Sequence, residues 1–402
     1  MPGVLEGLRI IEHSAFVAAP SAGLTLAQLG AEVIRVDPIG GALDAGRWPL
    51  NADGVSLYWT SLNRGKRSVV LDLRRPEGRD LLARLILEGD DAGIYLTNLP
   101  APVGLEYAEL QSRREDVIVV RLTGNPDGSA AVDYTVNCAT GLPWLTGPAD
   151  MRAPVNHVLP AWDLLAGASL VNAVLAAERQ RRLTGAGQEV RLALADVALG
   201  AIANLGLLAE AEHAVEPRRR SGNDLYGSFG RDFATSDGRR VMIVALTRRH
   251  WRALVELAGI TEQVAKLEAM LDMDLSDEGN RYRATDQIAA LIAPWCAHQS
   301  FAELSEKLEA AGILWGPYRT VRQLLDEDWR ASPANPMFQH IEQPGVGQVL
   351  AARSALDFIG QERPPAAAAQ PAGADTAAVL GEVLGLSGDE LAMLASEGVI
   401  PT

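Results

Sequence analysis

The chain has 402 residues, of which 48% are hydrophobic and 22% charged. These proportions are typical of a globular protein of about two or three domains and exclude a disordered or fibrous one. The formal net charge of −15 opposes binding to a phosphate backbone or an anionic membrane surface, so we expect neither a nucleic-acid partner nor a membrane partner.

The N-terminal half alternates short β-type runs with helical stretches. Helices are predicted over Ala19–Leu29 and from Pro76 to about Glu88. The predicted strands are Leu8–Glu12, Glu32–Asp37, Ser68–Leu73, Ala92–Thr97 and Asp116–Leu122. Strands alternating with helices indicate a mostly parallel sheet covered on both faces. The predicted fold class is therefore α/β, with a Rossmann-like large domain.

The second half of the chain continues this pattern and then changes. Asp163–Arg182 is the strongest predicted helix, followed by a strand at Gln188–Leu194 and a helix at Asp196–Glu212. The polar, basic stretch 216–224 is predicted to be a linker. Residues 240–330 combine one β-type run with several helical ones, which indicates a smaller α+β domain.

Cysteine usage and the N-terminus indicate the compartment. Cys138 and Cys296 are the only cysteines and lie far apart, which excludes a disulfide framework and a cysteine zinc site. No apolar run is long enough to cross a bilayer, and the first residues, MPGVLEGLRIIE, lack the features of a secretory signal. We expect a cytoplasmic protein.

Common catalytic and nucleotide-binding motifs are missing from the sequence. The first strand is not followed by G-x-G-x-x-G, and the chain has no P-loop, no H-E-x-x-H and no G-x-S-x-G. The six histidines are scattered, as expected of surface or packed histidines. We therefore expect no metal and no bound nicotinamide.

Three features permit either a structural or a functional interpretation. Asp163 stands at the start of the strongest helix, where it is typical of an N-cap but also fits a nucleophilic carboxylate; both can be true. Gly222–Gly230 is either a linker loop or a flap whose N–H groups approach an oxyanion. The basic residues either form a solvated surface or bind phosphates; they are Lys66, Arg67, Arg74 and Arg75.

Several segments, in order along the chain, resemble the family III CoA-transferases of the formyl-CoA transferase and carnitine CoA-transferase type. They are LEGLRIIE at the start, LTLAQLGAEVIRVDPIGG at 24–41, NRGKRSVVLDLRRPEG at 63–78, WDLLAG, and RRLTGAGQEV at 181–190. The resemblance implies an interlocked homodimer that binds acyl-CoA as its substrate and needs no other cofactor. It also implies a large domain made of residues 1–200 and 331–402, a linker at 201–224 and a small domain at 225–330.

The resemblance assigns roles to individual residues. Asp163 matches the catalytic aspartate, which would form a mixed anhydride and then an aspartyl-CoA thioester. The implied CoA contacts are Val17, Ala18, Arg35, Leu71, Arg74, Asn98 and Leu99, and the implied substrate or oxyanion groups are Arg47, Gly227, Gly230 and Arg231. The formyl-CoA branch has glutamine, arginine and lysine where this chain has Val17, Pro38 and Ala130, so Arg35 and Arg74 are the candidates here for the CoA phosphates.

Four shorter strings, SAFVAAP, NHVLPAWD, GNDLYGSFGRDF and GPYRTVRQ, resemble the mesaconyl-CoA transferase branch. That branch moves CoA between the two carboxyl groups of one molecule, converting 2-methylfumaryl-CoA to 3-methylfumaryl-CoA. Arg47 with Trp48, or Arg231, would hold the second carboxylate. Intermolecular CoA transfer to a separate acid is the main alternative. A non-catalytic CoA-binding protein is opposed by Asp163, and a racemase by Val132, which stands near the position of the racemases' histidine.

Overall fold

The computed structural model describes residues 3–90 and 92–402. Its strands are β1 (Arg9–His13), β2 (Glu32–Pro38), β3 (Arg67–Leu71), β4 (Ile94–Thr97), β5 (Ile118–Thr123), β6 (Gln188–Ala193), β7 (Phe229–Ala234), β8 (Arg240–Ala245), β9 (Leu314–Pro317), β10 (Phe338–Gln343) and β11 (Gly347–Ala352). Its helices are α1 (Ala18–Gln28), α2 (Leu57–Leu62), α3 (Pro76–Leu87), α4 (Tyr107–Arg113), α5 (Asp133–Ala139), α6 (Leu142–Leu145), α7 (Ala161–Thr184), α8 (Leu194–Asn204), α9 (Leu207–His213), α10 (Arg248–Ala258), α11 (Thr261–Leu271), α12 (Glu278–Arg283), α13 (Thr285–Ala297), α14 (Phe301–Ala310), α15 (Val321–Glu327), α16 (Thr376–Leu384) and α17 (Gly388–Ser396).

The chain divides into two compact units. The first contains the residues up to Thr140, together with His157–Ala209 and Trp329–Thr402. The second contains Gly141–Asn156 and Glu210–Asp328. Gly141–Asn156 thus belongs to the second unit, although the sequence prediction placed it in the large domain.

A six-stranded sheet forms the centre of the first unit, with the strand order β3-β2-β1-β4-β5-β6. All neighbouring pairs are parallel, which confirms the α/β class predicted from the alternating pattern. Chain order reverses between β1 and β4, so the loops after these two strands diverge there. Ligands of open α/β sheets bind at such a switch point, beyond the carboxyl ends of the strands.

The C-terminal segment completes the first unit by covering the β3 edge. The carboxylate of Asp375 and the hydroxyl of Thr376 accept the backbone N–H groups of Ser68 (2.8 Å) and Val70 (3.0 Å). Val379, Leu380, Leu384, Val399 and Ile400 join the same buried cluster as β2, β3 and α3. Edge strands left open tend to pair with other chains, so this segment both protects the edge and extends the core.

The second unit contains an antiparallel sheet of order β7-β8-β9 and a separate apolar core. Phe229 and Phe233 from β7 pack there with residues of α10, α11, α13 and α14. Buried and more accessible positions alternate along β8, as expected of a sheet with one buried face.

Helix α7 is apolar along much of its length. By length and composition alone it is able to cross a membrane, with a mean hydropathy of 1.2, and the bent pair α8–α9 passes the same test. In the first unit, however, α7 packs against α1, α8 and β5. Core helices of globular proteins have the same composition, so we treat α7 as a core helix.

Candidate active site

Asp163 lies in the first turn of α7, and it is not the helix N-cap. The helix begins at Ala161 with Pro160 as its N-cap, which places Asp163 at the third helical position. The N-cap interpretation of Asp163 is therefore wrong. Its side chain is half-buried and remains available for other interactions.

The first turn of α7 is capped by a residue distant in sequence. The carboxylate Oδ2 of Asp133 accepts the backbone N–H groups of Trp162 at 2.7 Å and Asp163 at 3.0 Å. Helix N-termini expose unpaired N–H groups, which an acidic side chain satisfies well. A second contact from the same helix, α5, holds the turn, because Trp162 Nε1 donates to Asn137 Oδ1 at 3.0 Å.

The carboxylate of Asp163 has an unusual environment. Across residues 3–90 and 92–402, no side chain or backbone group donates a hydrogen bond to it. Burial, and then the negative charge of Asp133, raise the pKa of Asp163 to about 6, while Arg47 acts in the opposite direction. An unbonded carboxylate with a raised pKa is a stronger nucleophile than an ordinary surface aspartate.

Arg47 is the cation of this site. Its guanidinium carbon lies 5.5 Å from the centroid of the Phe16 ring and 5.3 Å from that of Tyr58, which is cation–π geometry. Within the part of the chain that is described, the Arg47 guanidinium forms no ion pair. The buried Tyr58 hydroxyl likewise has no hydrogen-bond partner there, and burial raises the pKa of Tyr58 to about 12. Arg47 and Tyr58 are thus available to a ligand beside Asp163.

The β1–α1 loop brings Phe16 to the site in a left-handed backbone conformation. Phe16 has φ of 67°, which is uncommon for a bulky residue. Its N–H donates to Asp44 Oδ2 at 2.8 Å. Asn98, after β4, holds the preceding residue through two bonds to the backbone of Ala15, at 2.9 and 2.8 Å.

The sheet topology brings together four of the residues predicted to contact CoA. Val17 and Ala18 are buried at the start of α1, after β1, and Asn98 and Leu99 follow β4. These segments are the two sides of the switch point. Since the Asn98 amide is already bonded to Ala15, its observed role is to hold the loop.

Arg35 does not fit its predicted role as a phosphate ligand. Its side chain is only 1% exposed, and its guanidinium donates to Asp37, Glu12, Ser14 and Asn63. A buried cation with these partners has no donor left for CoA. The prediction that Arg35 binds a CoA phosphate is therefore wrong. Its acidic partners, Glu12 and Asp37, lie beside it on β1 and β2, and the sequence alone did not show that they enclose it.

Lys66 belongs to the same buried ionic network and not to a solvated face. Its ammonium lies 2.9 Å from Glu12 and donates to the Pro20 carbonyl at 2.8 Å. Burial lowers the pKa of Lys66 to about 8. The network leaves no space beside it: a Cβ on Gly23 would lie 1.6 Å from Glu12 Oε2.

The remaining predicted CoA residues lie at or after the end of β3. Arg74 is 85% exposed and pairs with Asp72 at 2.8 Å, so it is accessible to a phosphate. Leu71 is fully buried in the core, which leaves only its backbone for contacts. Arg67 pairs with Glu32 and Glu382 instead of facing solvent alone. Arg75 donates to the Glu397 carbonyl.

The predicted oxyanion loop lies in the second unit. Gly227 has φ of 82° in the turn before β7, whereas Gly230 is within β7 and packs too tightly for any side chain, since its Cβ would lie 2.9 Å from that of Leu225. Arg231 pairs with Asp224 and, at 2.8 Å, with Asp286. The oxyanion role of this loop stays a prediction.

The sequence analysis missed Asp133, His157, Asp44 and Tyr58. His157 Nε2 lies 2.6 Å from Asp133 Oδ1, so these two residues meet beside the start of α7 although 24 positions separate them. Asp133 stands at the first position of α5, a helix that the sequence analysis did not predict. No group of three or more potential metal ligands occurs within residues 3–90 and 92–402.

Comparison with known proteins gives a consistent result. A family model described as CoA-transferase family III matches residues 5–376. A 2-methylfumaryl-CoA isomerase of Chloroflexus aurantiacus is 50% identical over 402 residues, covering 100% of this chain and 98% of the relative. A succinyl-CoA:mesaconate CoA-transferase of Haloarcula hispanica is 27% identical over 374 residues, which cover 87% of this chain and 88% of the relative.

A solved structure has the same fold. The crystal structure of a CAIB/BAIF family protein from Brucella suis superposes with a TM-score of 0.77 at 26% identity. The match covers 95% of this chain and 100% of the other. Sequence and structure therefore agree over nearly the entire length.

Proposed function

The chain belongs to CoA-transferase family III, and from this premise we propose that it converts 2-methylfumaryl-CoA to 3-methylfumaryl-CoA by moving CoA between the carboxyl groups of one molecule. The observation that carries the proposal is the 50% identity to an isomerase of that name over both full lengths. The geometry adds the carboxylate of Asp163 beside the guanidinium of Arg47; among the described residues the first accepts no hydrogen bond and the second forms no ion pair.

The proposed chemistry is covalent. Asp163 attacks the thioester carbonyl, the C–S bond breaks, and the products are a mixed anhydride and CoA thiolate. The thiolate then attacks the aspartyl carbonyl, which releases the substrate carboxylate and leaves CoA on Asp163 as a thioester. The other carboxylate of the same dicarboxylate repeats these steps in reverse, which restores Asp163 and needs no net proton, metal or nucleotide.

Arg47 is the proposed partner of the free carboxylate. Of the cations predicted for this role, Arg231 already forms two ion pairs in the second unit, whereas Arg47 forms none within the described ranges. Tyr58 stands beside Arg47 with a buried hydroxyl that has no partner there. A guanidinium and a hydroxyl together can bind a carboxylate and then release it for attack.

The proposal includes a cytoplasmic homodimer. In the first unit, exposed leucines occur on the two packed helices α7 and α8 and just after α8: Leu164, Leu165, Leu199 and Leu205. Exposed apolar side chains favour a protein–protein contact, and we propose a second copy of this chain as the partner, as the sequence resemblance implies.

An assay without an added acid tests the activity. We expect the purified protein to isomerise 2-methylfumaryl-CoA alone, and the variant Asp163→Ala to lose turnover. Acid quenching followed by peptide mass analysis should find the CoA adduct on the Asp163 peptide. Isomerisation by Asp163→Ala near the rate of the unmodified protein would refute the covalent route.

Intermolecular CoA transfer is the alternative, supported by the similarity to a succinyl-CoA:mesaconate CoA-transferase. It requires that turnover depend on a separate carboxylic acid. A product that forms only after mesaconate is added would favour it. Isotope-labelled free mesaconate separates the two routes, because the intramolecular route leaves the label out of the product.

A further inference from the structure

A histidine–aspartate pair lies behind the first turn of α7. Asp133 is 2% exposed and uses both carboxylate oxygens: Oδ1 faces His157 at 2.6 Å, and Oδ2 accepts the N–H groups of Trp162 and Asp163. An ionised carboxylate only accepts hydrogen bonds, so the bridging hydrogen is assigned to His157 Nε2.

Aromatic contacts fix the histidine. Its ring lies edge-on to that of Tyr134, with centroids 6.0 Å apart, and 6.4 Å from that of Trp162. Tyr134 in turn donates from its hydroxyl to the Val158 carbonyl at 3.4 Å. His157 thus belongs to the segment that leads into α7, and Asp133 is bonded both to His157 and to the first turn of that helix.

We propose that His157 and Asp133 are positioning residues for Asp163: His157 orients the Asp133 carboxylate, and Asp133 holds the backbone of Asp163. The inference rests on the proposed function, in which Asp163 is the nucleophile. During that reaction the Asp163 side chain is acylated, exchanged and released, so its backbone must stay fixed while the side chain changes. Two hydrogen bonds to consecutive N–H groups provide this restraint directly.

The charge of Asp133 serves the same reaction. Acylation converts Asp163 from an anion to a neutral anhydride or thioester. A neighbouring negative charge disfavours the anion and therefore favours the acylated forms. A neutral capping residue would hold the turn equally well but would lack this effect, so position and charge can be separated by substitution.

The test uses the full-length protein with three variants and a matched control. Asp133→Asn keeps an acceptor oxygen but removes the charge, His157→Ala removes the donor, and His157→Gln restores an N–H donor. Asp277→Asn is the control, because Asp277 also accepts a helix N–H, that of Asn280 at 3.0 Å, but in the second unit.

We expect kcat for isomerisation to fall about 10- to 100-fold in Asp133→Asn, because the charge that favours the acylated forms is lost. We expect a fall of about 10-fold in His157→Ala, because Asp133 loses its orientation and misplaced reacting groups slow chemistry more than binding. KM should change less than about threefold in both variants. His157→Gln should recover most of the loss. Asp277→Asn should keep the kcat of the unmodified protein.

The pH profile supplies a readout that a purely structural role would not move. The charged and titratable groups around Asp163 are Asp133 and Tyr134 from α5, Asp44 and Arg47 after β2, Tyr58 from α2, and His157 before α7. Removing the Asp133 charge lowers the pKa of Asp163, so the acidic limb of kcat/KM should move to lower pH in Asp133→Asn.

Two results overturn the inference. If the unmodified protein forms the CoA adduct on Asp163 but the folded Asp133→Asn and His157→Ala variants keep its kcat and its acidic limb, the pair has no positioning role. If the unmodified protein forms no adduct on Asp163, the proposed covalent function is wrong. In that case His157 and Asp133 have no nucleophile to position, and the inference is wrong as well.

Discussion

At the scale of single residues, the site depends on a carboxylate, that of Asp163, which is partly buried and yet accepts no hydrogen bond from the described residues. Its backbone N–H is bonded to Asp133, yet its oxygens accept no hydrogen bond from residues 3–90 or 92–402. Arg47 stacks on two aromatic rings beside it. A reactive group is thus fixed through its main chain while its side chain stays available.

The raised pKa of Asp163 predicts an acidic limit to activity. A carboxylate nucleophile must be ionised, so kcat/KM should be constant at neutral pH and fall about tenfold per pH unit below a pKa of about 6. The pKa lies above that of a free aspartate, so the limb appears at higher pH than for an exposed one. Initial rates with 2-methylfumaryl-CoA between pH 4.5 and 8 measure it, with circular dichroism confirming that the fold persists. A limb centred near pH 4 would contradict the environment described.

Arg47 should matter more for the substrate than for the fold. We expect Arg47→Gln to lower kcat/KM about 100-fold, because it removes the charge proposed to hold the free carboxylate, with little change in thermal stability. Arg252→Gln, an exposed arginine of α10, is the control and should retain activity. Competitive inhibition by free mesaconate should weaken only in Arg47→Gln; equal inhibition in both variants would exclude this role.

Individual residues also show what sequence can reveal. Asp163 was identified through a resemblance, since its position at a helix start equally fits a cap. The true cap, Asp133, lies 30 residues earlier, and no local pattern predicts a hydrogen bond over that distance. Arg35 appeared available to phosphates because Glu12 reaches it only once β1 and β2 pair, which adds a second carboxylate to that of Asp37 on the same strand.

At the scale of elements, the crossing of α1 and α7 positions Asp163. Gly167, one turn after Asp163, lies so close to α1 that a Cβ would be 2.1 Å from Ser21 Oγ and 2.9 Å from the Ala18 carbonyl oxygen. At this point the backbone of α7 at Gly167 lies directly against the Ser21 side chain of α1. Their spacing therefore sets how far Asp163 stands from the β1–α1 loop.

Gly167→Ala should separate these helices and displace the nucleophile. We expect kcat to fall about 10- to 100-fold, since a displacement near 1 Å has an effect of that size. Gly381→Ala in α16 is the control, because its Cβ would have ordinary contacts, the nearest at 3.6 Å. Activity of Gly167→Ala equal to that of the control would show that the crossing does not determine the geometry.

Gly23 in α1 should be intolerant of alanine, in contrast to most helical glycines. A Cβ there would overlap the Glu12 carboxylate, which Lys66, Arg35 and Ser14 hold in place. We expect Gly23→Ala to lower the free energy of unfolding by about 1–3 kcal/mol or more. Gly381→Ala should instead raise it by about 0.5–1 kcal/mol. Urea denaturation of both variants measures the difference; similar values would contradict this account of the network.

Most elements of the first unit were predictable because their patterns are local. Apolar runs predicted the strands of the parallel sheet to within a few residues, including β6. The start of α7 was misplaced by two residues, because the helix begins with two apolar residues, Ala161 and Trp162, after Pro160 as its N-cap. The order of the strands was not predicted, since it depends on contacts between distant segments.

At the scale of the whole molecule, the exposed leucines on and just after α7 and α8 predict self-association. We expect light scattering to give twice the mass of one chain, because Leu205 and its neighbours would otherwise stay in water. Leu199→Glu with Leu205→Glu should reduce the mass to that of one chain. Met393→Glu, on exposed α17, should leave it unchanged. A single-chain mass for the unmodified protein would exclude the homodimer.

The organisation of the chain into units was only partly accessible from sequence. The boundary near residue 328 coincides with the end of a patterned region, and such changes of pattern are local. The assignment of Gly141–Asn156 to the second unit was missed. This segment is held there by Arg220, whose guanidinium donates to the carbonyls of Pro143, Trp144, Met151 and Ala153, about 70 residues away in sequence.

The C-terminal segment has a consequence for biosynthesis. The N–H groups of β3 and the apolar side of α3 remain open until Asp375 to Ile400 arrive. A ribosome adds residues one after another, so the edge of the nascent sheet stays uncovered until residues 375–400 have been synthesised. We therefore expect the first unit to close late in biosynthesis, and a chain that lacks these residues to leave this part of its core incomplete.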